Sequence, residues 1–261
     1  MTSDYIIFTI GESSYALEVG KIDRIDQVPH LTPIPNAHPF IDGLMTYQSL
    51  TAKVINFRKM TNMQTHENQI LELFNQVIKD HQNWVAALET SLREGVPFTL
   101  ALDPHLCRLG KWIYSYQAHD PEVLAIVRAL LPVHAQLHEM GAKLLQQCTG
   151  DTEAALVCYS KEIVNGIYIE TMRLLGEMVR KSIEISSQIQ KLLIYRNGDG
   201  FFAIKVDAIR DIVALDDVQI KPYSHHVKVG ACLRTRGVVE YKKSLVVVID
   251  SVNLPKNEEV A

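Results

Sequence analysis

YIIFTIGESSYALEV, residues 5–19, places two apolar runs on either side of a short polar turn. Apolar, β-branched and aromatic runs of this length around a Gly/Ser turn are typical of a β-hairpin. The next segment carries four prolines from Pro29 to Pro39, which restrict the backbone and predict an extended loop. Strand-like sequence resumes at Ile41–Leu44 and at Lys53–Arg58. The N-terminal part of the chain is therefore predicted to be β-structure.

A second β-rich segment begins after Gln190. The turn Asn197-Gly-Asp-Gly200 separates two apolar runs, and Asn-Gly in this position is a strong hairpin signal. Val238–Tyr241 and Ser244–Ile249 predict a further pair of strands. The chain thus ends, as it begins, in β-structure.

Between these segments the apolar residues recur with the period of an amphipathic helix, at Ile70, Leu73, Phe74, Val77 and Ile78. Composition and helix-start signals predict three further helices. They are expected near Asp103–Tyr116, Pro121–Gln147 with a kink at Pro132, and Asp151–Ser187.

This order divides the chain into segments 1–63, 64–188 and 189–261. The two flanks, about 60 and 70 residues long, are each marginal as independent domains. We therefore expect them to form one domain that the helical segment interrupts. The predicted fold class is α+β, with an inserted all-α helical bundle.

The composition excludes several functional classes. The 261 residues carry a net charge of -4 without a basic run, which argues against a nucleic-acid partner. No stretch of about 18 apolar residues occurs, so no membrane insertion is expected. The N-terminus lacks a targeting pattern, and we expect a cytoplasmic protein. Its four cysteines lack a framework spacing, and thiols rather than disulfides are expected.

A candidate metal-ligand set lies in the helical segment and consists of His81, Cys107, His134 and His138. The last two are four residues apart, so on a helix they share one face. The other two come from other predicted helices, and bundle sites are typically built from facing helices. One thiolate and three imidazoles suit Zn²⁺, which favours tetrahedral nitrogen and sulfur ligands.

The residues alone leave three other interpretations open. The histidines can be satisfied polar groups and Cys107 a small buried apolar residue. A four-ligand zinc site can be purely structural, since it keeps no open position for a substrate. A metalloenzyme is the alternative of another class, although Ala135 stands where a His-Glu-x-x-His protease has its general base. A sensing role would use Cys107, because a zinc thiolate can be oxidised.

Four neighbouring residues are candidates for supporting roles. Trp84 and Trp112 each lie near a candidate ligand in sequence, and packing around the site is the role expected of them. Asp80 and Asp103 either accept hydrogen bonds from the imidazoles or serve on a helix face or as an N-cap.

The β-rich flanks resemble the CheW-like adaptor domains of bacterial chemotaxis. The specific part is PIPNAHPFIDG, residues 33–43, and the accompanying matches are 5–10, 15–23, 54–58, 202–209 and 245–250. The resemblance implies two small five-stranded β-barrels without catalytic residues. Such adaptors act as scaffolds between chemoreceptor tips and a histidine kinase. Where they usually carry Asn-Leu-Arg-Gly, this chain has Tyr47-Gln-Ser-Leu50 without the arginine, so docking through this surface stays an open question.

The helical segment resembles the chemoreceptor zinc-binding domain. The matching motifs are His81-Gln-Asn-Trp84, Cys107-Arg-Leu-Gly-Lys-Trp112, and His134 with His138. The resemblance implies a helical bundle that binds zinc through these His and Cys residues and responds to zinc or oxidants. We therefore expect a non-enzymatic cytoplasmic adaptor with a zinc-binding input module. Its expected partners are a chemotaxis histidine kinase, a chemoreceptor tip, or both, with homo-oligomerisation through the insert left open.

Overall fold

The strands and helices are taken from a computed structural model that describes residues 2–147, 152–198, 200–222 and 232–254. The strands are β1 (Thr2–Ile10), β2 (Ser13–Glu18), β3 (Ile22–Gln27), β4 (Ile41–Tyr47), β5 (Leu50–Asn56), β6 (Lys191–Asn197), β7 (Gly200–Val206), β8 (Ala208–Asp216), β9 (Leu233–Tyr241) and β10 (Ser244–Val252). The α-helices are α1 (Phe57–Met60), α2 (His66–Glu94), α3 (Arg108–Ile113), α4 (Pro121–Gln147), α5 (Thr152–Cys158), α6 (Tyr168–Arg180) and α7 (Ser182–Ile189). A π-helical segment, Tyr159–Ile167, joins α5 to α6.

The ten strands form two five-stranded sheets, ordered β8-β1-β2-β10-β9 and β3-β6-β7-β5-β4. Each sheet joins strands from both ends of the chain through one parallel pair, β2 with β10 or β5 with β7, and one antiparallel pair, β1 with β8 or β3 with β6. The predicted hairpins are confirmed as the antiparallel pairs β1–β2, β6–β7 and β9–β10. The α+β class is likewise confirmed, with two five-stranded sheets and a separate helical region.

The chain divides into two compact units, one made of Met1–His66 with Ser187–Ala261 and the other of Glu67–Ser186. In the first unit, alternate residues of β1 serve two cores. Ile6, Phe8 and Ile10 pack with residues of both sheets. Tyr5 and Ile7 point to the opposite face and pack in a cluster of their own sheet. Because successive side chains of a strand alternate in direction, burial on both faces explains why YIIFTI is apolar at every position except Thr9.

A buried ion pair joins the two chain segments of this unit. Arg58, which follows β5, donates from Nε and Nη2 to the carboxylate of Asp207, at 2.7 and 2.6 Å. Its Nη1 donates to the backbone oxygen of Gln64, shortly before α2 begins. Both side chains are almost fully buried, so removal of either partner would leave an uncompensated charge.

The helical unit departs from two of the predicted helices. The helix expected over Asp103–Tyr116 is reduced to Arg108–Ile113, because Cys107 adopts an extended conformation and caps it. The helix expected over Asp151–Ser187 is interrupted, since Gly166 has non-helical dihedral angles of φ -122° and ψ -106°. Its expected start at Asp151 lies outside the described residues. By contrast, α4 has the predicted bounds and passes through Pro132 without a break.

None of the described helices is long and apolar enough to cross a membrane.

Candidate metal centre

The four candidate ligands are brought together from three helices of the second unit. His81 lies in the middle of α2, Cys107 at the start of α3, and His134 with His138 on one face of α4. One potential ligand atom from each lies within 4.8 Å of all the others. In a tetrahedral site with Zn–N bonds of about 2.1 Å and a Zn–S bond of about 2.3 Å, ligand atoms are roughly 3.5 Å apart. The most widely separated ligand atoms therefore need to approach by about 1.3 Å at most, the difference between 4.8 and roughly 3.5 Å, to hold the ion.

Hydrogen bonds fix the orientation of two of the rings. Nδ1 of His81 lies 2.8 Å from the backbone oxygen of Val77, and Nδ1 of His138 lies 3.1 Å from that of Ala101. A carbonyl oxygen can only accept, so each Nδ1 carries the proton and each Nε2 keeps its lone pair. Both Nε2 atoms are buried without a hydrogen-bond partner among the described residues. Buried lone pairs of this kind, on residues of one cluster, fit a metal ion.

His134 and Cys107 form the other half of the cluster. Nε2 of His134 lies 3.2 Å from Sγ of Cys107. The His134 ring is fully buried, and its Nδ1 has no partner among the described residues. The His134 ring therefore contacts the thiol through Nε2, and its Nδ1 has no described hydrogen-bond partner.

Cys107 is held in place by the helix that it caps. Its Sγ accepts a hydrogen bond from the backbone N–H of Gly110, at 3.2 Å. A Cβ on Gly110 would lie only 1.8 Å from the backbone oxygen of Pro104, so residue 110 must be glycine for this turn to form. The glycine of the Cys-x-Leu-Gly-x-Trp motif thus serves both the fold of the loop and the position of the sulfur.

Burial sets the protonation of the cluster. Desolvation lowers the pKa of His134 to about 3 and that of His138 to about 4, and it lowers the pKa of His81 as well. All three rings are therefore neutral at pH 7 and available as ligands. Burial also raises the pKa of the Cys107 thiol, against the opposing effect of the Gly110 N–H. A thiolate in this position needs the compensating charge that a bound cation supplies.

The two tryptophans occupy different environments. Trp84 is buried, and its ring centroid lies 4.9 Å from that of His138. Its Nε1 donates a hydrogen bond to the backbone oxygen of Ala101, at 2.8 Å. The same oxygen accepts from His138, so Trp84 contacts both the ring and its acceptor. Trp112 instead packs against Phe74 and stacks on Tyr116.

The two carboxylates, of Asp80 and Asp103, form their hydrogen bonds with residues other than the four candidate ligands. Asp80 accepts from Gln76 and from Arg108, each at 2.8 Å. These hydrogen bonds outweigh the effect of burial and lower the pKa of Asp80. Asp103 accepts from the backbone and the ring of His105. Among the described residues, the acceptors of the site imidazoles are backbone carbonyls, of Val77 and Ala101, which leave no side-chain signal in the sequence.

The set of donors determines what the site can do. One sulfur and three imidazole nitrogens match the preferences of zinc better than those of magnesium or calcium, which favour oxygen ligands. With all four donors engaged, a tetrahedral ion has no open position for a substrate. The arrangement therefore suits a structural or a responsive metal site.

Two stretches of the chain are similar to known protein families. Residues 4–92 match the CheW-like domain, and residues 81–145 match the chemoreceptor zinc-binding domain. Among solved structures, the scaffolding protein TtCheW from Thermoanaerobacter tengcongensis aligns with a TM-score of 0.45 at 9% identity, over 96% of this chain and 90% of that chain. No curated protein matches the chain. One stretch of the chain is thus similar to the CheW-like domain and another to the chemoreceptor zinc-binding domain, and the two matches overlap at residues 81–92.

Proposed function

We propose that the chain is a non-enzymatic scaffold of the chemotaxis type whose helical insert binds one zinc ion through His81, Cys107, His134 and His138. In this proposal, residues 1–63 and 189–261 are the two parts of the CheW-like domain, and residues 64–188 are the zinc-binding insert. The observation that carries the metal site is the pair of buried Nε2 atoms without a described hydrogen-bond partner, on His81 and His138, in residues that cluster with Cys107.

The similarity to the CheW-like domain suggests the proposed partners, which are a chemotaxis histidine kinase and a chemoreceptor cytoplasmic tip. Such domains are generally scaffolds without catalysis. The turn from Tyr47 to Leu50, which lacks the usual arginine, carries a local polar network instead. Asp23 accepts there from Tyr47 and, at 2.6 Å, from Arg196. A cation thus lies next to this turn, but it comes from β6.

Cys107 gives the proposed site a way to respond to oxidants. A hydroperoxide is the proposed co-reactant. The thiolate sulfur attacks one peroxide oxygen, an S–O bond forms, the O–O bond breaks, and the second oxygen leaves as hydroxide or alkoxide. Sulfur is oxidised to a sulfenic acid by two electrons, and the peroxide is reduced by two. The change weakens the bond between Cys107 and the ion.

Zinc analysis of the purified full chain tests the metal site. We expect about one zinc per chain, and a loss of zinc in Cys107→Ala when a chelator competes. His105→Gln is the matched control, because His105 is an exposed histidine two residues away. A wild-type chain that retains no zinc would overturn the proposal. Stoichiometric zinc in Cys107→Ala together with a new hydrolytic activity would instead favour a metalloenzyme.

Oxidant titration tests the response. With a chromophoric chelator present, hydroperoxide should increase zinc release from the wild type, whereas zinc release from Cys107→Ser should be the same with and without hydroperoxide. Cys158→Ser, which changes a cysteine that packs in the helical core, should behave as the wild type. If modest oxidant releases no zinc, the metal is purely structural.

Co-purification tests the scaffold role. The chain should bind a receptor cytoplasmic domain and its kinase, and chelation of zinc should alter that binding. Binding that is absent in both conditions would contradict the scaffold assignment. Binding that does not change with zinc would contradict the input role of the insert.

A further inference from the structure

The protein holds the four candidate ligands unequally. His81 and His138 each donate a ring proton to a backbone carbonyl oxygen, and Cys107 accepts from a backbone N–H. His134 has no such partner among the described residues, although its ring is the most deeply enclosed of the set together with that of His138. This difference concerns the groups behind the ligands, which set how firmly each one is held.

The support of His81 and His138 is rigid. Val77, the acceptor for His81, lies one turn earlier in α2. The donor and the acceptor of this hydrogen bond therefore belong to the same helix. Ala101, the acceptor for His138, is itself bonded to the indole N–H of Trp84 at 2.8 Å. A hydrogen-bonded Nδ1–H fixes the tautomer and the ring angle and makes Nε2 a better donor to a metal.

His134 faces the opposite situation. When its Nε2 serves as the ligand, Nδ1 must carry a proton, because a neutral imidazole has one N–H. That N–H would be buried without a described acceptor, and a buried donor without a partner destabilises the state that contains it. Ligation by His134 therefore carries a cost that ligation by His81 or His138 does not.

We propose that the site consists of an anchoring pair, His81 and His138, and a releasing pair, Cys107 and His134. The two members of the releasing pair are adjacent, with 3.2 Å between Sγ and Nε2. When Cys107 is oxidised, His134 is the next ligand to leave, and the ion stays on the anchoring pair or departs from it. The inference rests on the proposed zinc site and specifies how that site opens.

Single substitutions to glutamine test the pairing through zinc affinity, measured by competition with a chromophoric chelator. We expect His81→Gln and His138→Gln to weaken binding about 10- to 100-fold more than His134→Gln does, the range associated with loss of outer hydrogen-bond support. His105→Gln should not change the affinity. Equal losses in the three variants, or the largest loss in His134→Gln, would overturn the inference.

Imidazole ¹⁵N NMR of the full chain gives a second test. It follows the ring protons of the individual histidines, which a general loss of structure would not change selectively. In the zinc-loaded wild type, the Nδ1–H signals of His81 and His138 should persist, and that of His134 should exchange fastest with solvent. After hydroperoxide treatment only the His134 ring should change its tautomer. Slow exchange at His134 would overturn the pairing, whereas a wild-type chain without zinc would overturn the proposed site itself.

Discussion

At the scale of single residues, Trp84 does more than the packing expected from its position in the sequence. Its ring covers His138, and its N–H holds the carbonyl oxygen that orients the same histidine. Trp112, from the matching part of the next motif, packs only against other aromatic rings in the contacts described. Two tryptophans with similar sequence contexts thus have different relations to the site.

Replacing Trp84 with Phe should lower zinc affinity about tenfold, since it removes the N–H that fixes Ala101 while keeping an aromatic ring. Chelator competition measures the effect. Trp112→Phe is the matched control and should reduce stability without an effect of this size on affinity. Equal affinities for the two variants would contradict the role given to the indole N–H.

Asp42, within PIPNAHPFIDG, lies in the interior of the first unit. Its carboxylate accepts a hydrogen bond from Asn56 and forms ion pairs with Lys59 and Lys205. Burial acts to raise the pKa of this carboxyl, but the two lysines outweigh it and hold the pKa below 3.8. A lowered pKa contributes stability that is complete above the ordinary value and is lost as the pH falls through the folded-state value.

Asp42→Asn should therefore destabilise the protein at pH 7 by about 3 kcal/mol, because it leaves lysine charge uncompensated. The difference from the wild type should begin to shrink as the pH falls below 3.8, because Asp42 then takes up a proton in the unfolded chain, and it should be lost once the pH falls through the lowered folded-state pKa. Urea unfolding at pH 7 and pH 3 measures both values. Asp26→Asn, in an exposed pair with Arg24, should change stability by only about 0.5 kcal/mol. A pH-independent difference for Asp42→Asn would contradict the argument.

At the scale of elements, the short helix α3 is defined by the turn that precedes it. Gly110→Ala would place a methyl group against the oxygen of Pro104, at 1.8 Å, and would displace the cap at Cys107. We expect a loss of about 3 kcal/mol in the free energy of unfolding, and weaker zinc binding. Gly176→Ala in α6 is the matched control, because its Cβ would meet only the end of Arg180 at 3.9 Å. That variant should gain up to about 1 kcal/mol from helix propensity.

The β4–β5 turn is an element in which sequence and conformation disagree. Tyr47 pairs with Leu50, and the two residues between them, Gln48 and Ser49, have φ values of 47° and 64°. Turns of this type favour Asn-Gly, because positive φ is costly for other residues. Ser49→Gly should raise stability by about 0.5 kcal/mol, after allowance for the greater entropy of glycine in the unfolded chain. Ser49→Ala should bring no gain, and a gain equal to that of glycine would refute the explanation.

At the scale of the whole molecule, the proposed ligands all belong to one of the two units, Glu67–Ser186. Three helices contribute to the site, so the metal should stabilise their packing directly. The β-sheets have cores of their own, formed by other residues. Removal of zinc is therefore expected to act unequally along the chain.

Hydrogen exchange with and without a chelator measures this difference. Amides of α2, α3 and α4 should exchange faster after zinc removal, whereas the central strands β1 and β7 should keep their protection. The chelator should have no effect on His81→Gln, which serves as the control for chelation itself. Uniform acceleration across both units would contradict this expectation.

Local patterns in the sequence determined much of this protein. Alternating and helical periods, the Asn197-Gly198 turn and the His/Cys spacing predicted the β–helix–β order, the hairpins and the four residues that the structure brings together. These features are readable because strand and helix periods and turn residues act over a few neighbours in the chain. The interruption at Gly166 and the short α3 were missed, because a glycine within a helical pattern and a cysteine cap are weak local signals.

Only the tertiary structure decided which partners the site residues have. Ala101 carries no side-chain mark of its role, yet its carbonyl oxygen orients His138, 37 residues further on. The lack of a described acceptor behind His134, and the parallel pairs that join the two ends of the chain, likewise depend on segments far apart in sequence. Backbone groups are the same at every residue, so the sequence specifies the ligands, whereas the fold selects the carbonyl groups that hold them.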